Sequence, residues 1–150
     1  MSGARSGLVT DLVEFVAWLR EQIDEDERVA LAAAWSSRRV GDNRPTWQRS
    51  GINSVEDAGG GLVVHGDGTP PSDSQADHIA RHDPARVLAE VAAKRAILDL
   101  HEPYESERVG GQSCWACNRD GWPCETVRLL AQPFAGRPGW REEWATGGAA

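Results

Sequence analysis

Three cysteines, Cys114, Cys117 and Cys124, fall within eleven residues, and the chain contains no others. An odd, clustered trio cannot form a complete disulfide framework, and in an intracellular protein such a cluster points to metal or redox chemistry. Cys114-Trp115-Ala116-Cys117 sets two thiols on a tight turn with two residues between them. The chain reverses between them, so both can reach one metal ion, as in a zinc knuckle. Cys124 follows Trp122-Pro123 and is expected in the first turn of a helix. There the helix dipole and free amides stabilise a thiolate. Tetrahedral zinc requires a fourth ligand. His101 lies thirteen residues before Cys114, at the end of a helix that Pro103 stops. Together His101, Cys114, Cys117 and Cys124 read as a closed, structural three-cysteine, one-histidine zinc site. Asp120 or water are the alternatives for the fourth position. Three buried thiols in an apolar pocket is a second reading of the cysteines. Redox use of Cys114 and Cys117 is a third, but a thioredoxin-like motif belongs beside a βαβ pattern, and none is present.

Other chemistry-bearing patterns are weaker. His78 and His82 stand four apart and share a helix face, the spacing of a zinc protease. The general-base position after the first histidine holds Ile79, so the pair reads as a surface or interface helix. Cys124 with His101 could form a thiolate–imidazole pair, yet a bound metal would silence that nucleophile. Gly59-Gly60-Gly61 has no following Gly-Lys-Ser/Thr, so it reads as a turn and not a phosphate loop. No paired carboxylates and no dinucleotide fingerprint appear, and the chain is expected not to be an enzyme.

The rest of the chain reads as one soluble domain over residues 1–150. Thr10 is expected to cap an amphipathic helix with Leu8, Leu12, Phe15, Val16, Leu19 and Ile23 on one face, running to about Ala34. Asp11 and Glu14 suit its start. The stretch from Gly41 to Pro45 ends it, and the acidic run Asp24–Glu27 is a solvated face. Short β-prone pieces near 47–49, 52–56 and 62–65 predict a small hairpin or three-stranded meander. Ser74 and Asp77 have the layout of a capping box for a helix over 75–82. Asp83-Pro84 starts the next helix, which runs to Leu100. Residues 104–113 read as a polar loop, and a helix is expected from Cys124 to about Ala131. The fold class is thus α+β, mostly α-helical. A helical core over 10–100 carries the hairpin near 46–65, a zinc-binding element spans 101–144, and 145–150 is a flexible tail.

Sixteen basic against 23 acidic residues leave a net charge of −7. A nucleic-acid partner draws most of its affinity from cationic side chains, so general nucleic-acid binding is not expected. The apolar stretches are too short to span a membrane, and no secretory signal is visible. Trp115, Trp122, Trp140 and Trp144 cluster near the cysteines and are expected to shield the metal, or, where exposed, to meet a partner.

Three segments resemble a family: DLVEFVAWLREQIDEDERVA, ADHIARHDPARVLAEVAAKRAILDLHEP, and C-x2-C followed by GWPCETVRLLAQPFAGRPGWREEW. They are similar to the small actinobacterial and actinophage proteins classed as domain of unknown function 6221, from Thr10 to about Trp144. In that family the HEP, C-x2-C and PC elements recur together. This implies that His101, Cys114, Cys117 and Cys124 work as one unit. The resemblance brings no activity with it.

The functional expectation is a small cytoplasmic zinc-binding adaptor that meets another protein. One alternative is a phage-related transcription or nucleic-acid accessory factor using Arg119, Arg128 and Arg141. A thiol-dependent enzyme is the other.

Overall fold

The structure is a computed structural model that describes residues 3–35, 43–65, 68–108, 110–118 and 121–146, with side chains from residue 12 onward. The fold is α+β, and helices make up about half of the chain. Its elements in order are α1 (Gly3–Ala34), β1 (Trp47–Ser50), β2 (Ser54–Asp57), β3 (Leu62–Val64), α2 (Asp73–Arg81), α3 (Pro84–Leu100), β4 (Pro103–Ser106), β5 (Gly111–Cys114) and α4 (Glu125–Ala131). Single 3-10 turns follow at Gln132–Phe134 and Glu142–Trp144. The described residues cluster into two compact units, one drawn from Met1–Ile23 and Ala93–Ala150, the other from Asp24–Ala92.

Helix α1 begins at Gly3, not after Thr10. Residues 3–9 include Ala4, Arg5 and Leu8, which favour helix, and no proline, so nothing stops the turn propagating through Thr10. The side chains of Leu8, Thr10 and Asp11 lie outside the described residues, as do Gly41 and the tail from 147.

In the unit of Asp24–Ala92, the strands form an antiparallel sheet in the order β1-β2-β3. This is the meander that the sequence predicts. Trp47 pairs with Asp57 and Ser50 with Ser54, and a bulge interrupts β2 between Val55 and Glu56. The triple glycine is its second turn. Asp57 Oδ1 accepts the N–H groups of Gly59 (2.8 Å) and Gly61 (2.9 Å), and Arg44 lies 3.4 Å away. The Gly61 N–H, with those of Gly59 and the Arg44 charge, holds the Asp57 carboxyl below its ordinary range against its burial. Gly60 stands at φ 76°, a conformation glycine adopts without penalty.

Helix α2 packs on β1 and β2, with Ala76 and Val55 fully buried. Its cap is Ser72 with Gln75, not Ser74 with Asp77. Ser72 Oγ accepts the Gln75 N–H, and Gln75 Oε1 accepts the Ser72 N–H (2.7 Å). Glutamine is long enough to reach back three residues, and Asp77 instead faces Arg49 of β1 at 3.4 Å. Asp83 caps α3 through the Arg86 N–H (2.8 Å), and its other oxygen accepts the Trp47 N–H (3.1 Å). One buried carboxylate therefore joins a helix start to a strand start.

In the other unit, Phe15, Trp18, Leu19 and Ile23 form the buried face of α1. Trp144 packs against Phe15 (5.0 Å between ring centres) and Trp18 (5.3 Å), and Trp140 against Trp18 (5.5 Å). Trp18 Nε1 donates to the Pro138 carbonyl (2.9 Å), which satisfies the polar end of a buried indole. Gly139, at φ 85°, lets the chain cross this indole, since a Cβ there would stand 2.9 Å from Trp18. Trp144 is thus buried against α1, while the half-buried Trp140 packs on Trp18 and edge-on against Trp144 (5.9 Å).

The segment read as a polar loop over 104–113 is a hairpin. β4 and β5 pair antiparallel, with Pro103 opposite Cys114 and Ser106 opposite Gly111. Its strands carry Tyr104 and otherwise polar or small residues, so they lack the apolar alternation that marks a strand in sequence.

Candidate metal centre

Four chain features bring the cluster together in the unit that contains it. Helix α3 ends at Leu100, and the His101 N–H still bonds back to the carbonyls of Ile97 and Leu98. The imidazole is thereby fixed at the helix end. β4 starts two residues later and leads, through its pairing with β5, to Cys114. Cys114 to Cys117 then form the knuckle. The Asn118 N–H closes it on the Cys114 carbonyl (2.9 Å), with Asn118 in the left-handed region at φ 48°. Asparagine tolerates that conformation better than most residues. Cys124 is the N-cap of α4, and its carbonyl accepts the Arg128 N–H (3.1 Å).

His101 Nδ1 lies 3.3 Å from Cys114 Sγ, 3.5 Å from Cys117 Sγ and 3.3 Å from Cys124 Sγ. All four ligand atoms fall within 4.8 Å of one another. A tetrahedral zinc with Zn–S about 2.3 Å and Zn–N about 2.0 Å sets each sulfur about 3.5 Å from the nitrogen. The observed separations match that figure, so the site could hold a metal ion such as zinc. Cys114 and Cys124 are buried, while Cys117 and His101 are half-buried. The structure therefore gathers the four residues that the sequence singles out, Asp120 lying outside the described residues.

Groups around the cluster hold its residues further. Burial pushes the Cys114 thiol up, but the backbone N–H groups of Cys117 and Ala116 and the neighbouring sulfurs outweigh it and hold it below its ordinary value. Burial and the neighbouring sulfurs push Cys117 up. Amides aimed at a sulfur are the outer-shell partners that stabilise a metal-bound thiolate. Trp122 Nε1 donates to the His101 carbonyl (2.8 Å). Trp122 is thus the tryptophan tied directly to a ligand residue, whereas Trp115 is 65% exposed. A cleft of about 690 Å³ opens beside Cys117 and Cys124, lined also by Trp122, Glu125 and Arg128.

His78 and His82 do not form a comparable centre. Their rings stack at 4.2 Å, and His82 Nδ1 lies 2.9 Å from the His78 carbonyl. Among the described residues no third metal-binding side chain joins them.

Fold and site define an α+β protein that carries a histidine–cysteine cluster which could hold a metal ion. The chain belongs to the family of unknown function DUF6221, whose pattern matches residues 12–146. No curated protein and no solved structure matches it. No helix among the described residues is long and apolar enough to cross a membrane.

Proposed function

We propose that this protein binds one zinc ion through His101, Cys114, Cys117 and Cys124, and that the ion is structural. The carrying observation is the convergence of three sulfurs on one imidazole nitrogen at 3.3–3.5 Å. Four protein ligands fill a tetrahedral shell, whereas catalytic zinc keeps a position open for water or substrate. The ion would supply cross-linking. It would join the end of α3 and the start of α4 to the β4–β5 hairpin and the knuckle, two elements with few aliphatic side chains of their own. A two-stranded hairpin is marginal in water without such support. In this proposal the protein works in a reducing compartment, where its thiols stay available, and acts as a non-enzymatic scaffold that presents a surface to another protein. The net charge of −7 supports a protein partner over a nucleic-acid one.

Elemental analysis of chain purified without chelator tests the metal assignment. About one zinc per chain is expected, since the cluster offers one full ligand set. Less than about half an equivalent contradicts it.

A further inference from the structure

The metal-held hairpin carries an exposed aromatic surface that the cluster does not use. Trp115 lies in the knuckle with 65% of its surface in solvent. Its ring stacks on Tyr104 of β4 at 4.6 Å and 36°. The Tyr104 hydroxyl donates to Asn118 Oδ1 (3.3 Å), the residue that closes the knuckle. The ladder that pairs Pro103 with Cys114 extends one step further, because the Trp115 N–H donates to the Glu102 carbonyl (3.1 Å). Residues opposite one another in an antiparallel pair share a face, as do residues two apart on one strand. Glu102, Tyr104 and Trp115 therefore stand on one face of the hairpin.

The charge around this face is negative. Glu102 on the face is an exposed carboxylate, whereas Glu105, also exposed, alternates onto the other side of β4. Helix α3 ends beside Glu102 with no basic residue in its last turn. Its negative dipole end therefore adds to the Glu102 carboxylate. An indole face in such a field attracts cations. A guanidinium fits it best, because its plane stacks on the ring while its fork of N–H groups meets a carboxylate. A phosphate backbone would be repelled.

We propose that the Glu102–Tyr104–Trp115 face is the docking surface for an arginine-bearing segment of a partner protein. The proposal rests on the metal reading in that the ion holds Trp115 in its turn. The ring is then presented already ordered, which lowers the entropy lost on binding.

The test uses zinc-loaded full-length chain, followed by nitrogen-15 NMR during titration with a short arginine-rich peptide. The same peptide with glutamine replacing arginine and an oligothymidylate are titrated in parallel. The expected result is saturable shifts at the Trp115 indole N–H and the amides of residues 102–104 with the arginine peptide alone. Trp115→Ala should weaken binding about fivefold or more, and Trp115→Phe should recover part of the loss. Glu102→Gln should weaken binding and reduce its salt dependence, while Leu129→Ala on α4 should leave it unchanged. Absence of saturable shifts, indifference to Trp115→Ala, or tighter binding of the oligothymidylate would overturn the proposal. Zinc analysis of the same samples separates the two claims. Zinc-loaded protein that ignores the peptide removes the docking surface alone, and a purified chain that takes up less than about half an equivalent of zinc yet still binds the peptide removes the metal reading alone.

Discussion

Stripping the metal from the purified chain will unfold residues 102–126 and leave the helical parts of α1 and α3 folded. The segment contains a two-stranded hairpin, a knuckle and the start of a seven-residue helix. Among its described residues, Cys114, Ser113, Pro123 and Cys124 are buried, and none of these is a large aliphatic side chain. Ordering a residue costs on the order of 1–2 kcal/mol. Structural zinc supplies about 10–16 kcal/mol in isolated fingers, a quantity able to decide whether a segment of this length is ordered. By contrast, α1 buries Phe15, Trp18, Leu19 and Ile23, and α3 buries Val91 and Leu98. Their order is therefore expected to be independent of the ion. Amide hydrogen exchange with and without chelator is the measurement. Protection should vanish across 102–126 and persist in residues 12–34 and 84–98. Mild acid should act like the chelator, because protons compete with zinc for thiolate and imidazole, so affinity falls as pH falls. Unchanged protection across 102–126 in metal-free protein would show that the cysteines are ordinary core residues.

Replacing the imidazole should be nearly as damaging as removing the ion. His101→Ala leaves three sulfurs and an open position at the end of α3. Loss of an outer-shell partner alone costs about 10–100-fold in metal affinity, and loss of a direct ligand should exceed that, at least about a hundredfold. His78→Ala and His82→Ala should leave zinc affinity unchanged, since their rings stack on one another and, among the described residues, gather no third ligand. Competition with a metallochromic chelator measures all three variants. Equal zinc retention by His101→Ala would mean that another group completes the shell.

The cluster was legible because ligand chemistry writes itself in local spacing. Cys114 and Cys117 share a turn, Cys124 follows a proline at a helix start, and His101 precedes a helix-stopping proline. The α3 start was legible for the same reason, since Asp83-Pro84 is a cap and a first-turn residue in succession. Helix α2 was placed two residues late because PPSDSQAD holds two serines, and only the longer Gln75 completes the reciprocal pair with Ser72. The β4–β5 hairpin was hidden because its pairing follows from where the His101 and Cys114 ends meet, not from strand propensity. Trp140 and Trp144 misled through sequence proximity. They lie near the cysteines along the chain, but their rings pack on residues 15 and 18, contacts that no local pattern encodes.

X-ray absorption at the zinc edge, on chain purified without chelator, tests the central claim most directly. The account predicts a four-coordinate shell of three sulfurs at about 2.3 Å and one nitrogen at about 2.0–2.1 Å. A shell dominated by oxygen or nitrogen, with fewer than two sulfurs, would contradict it.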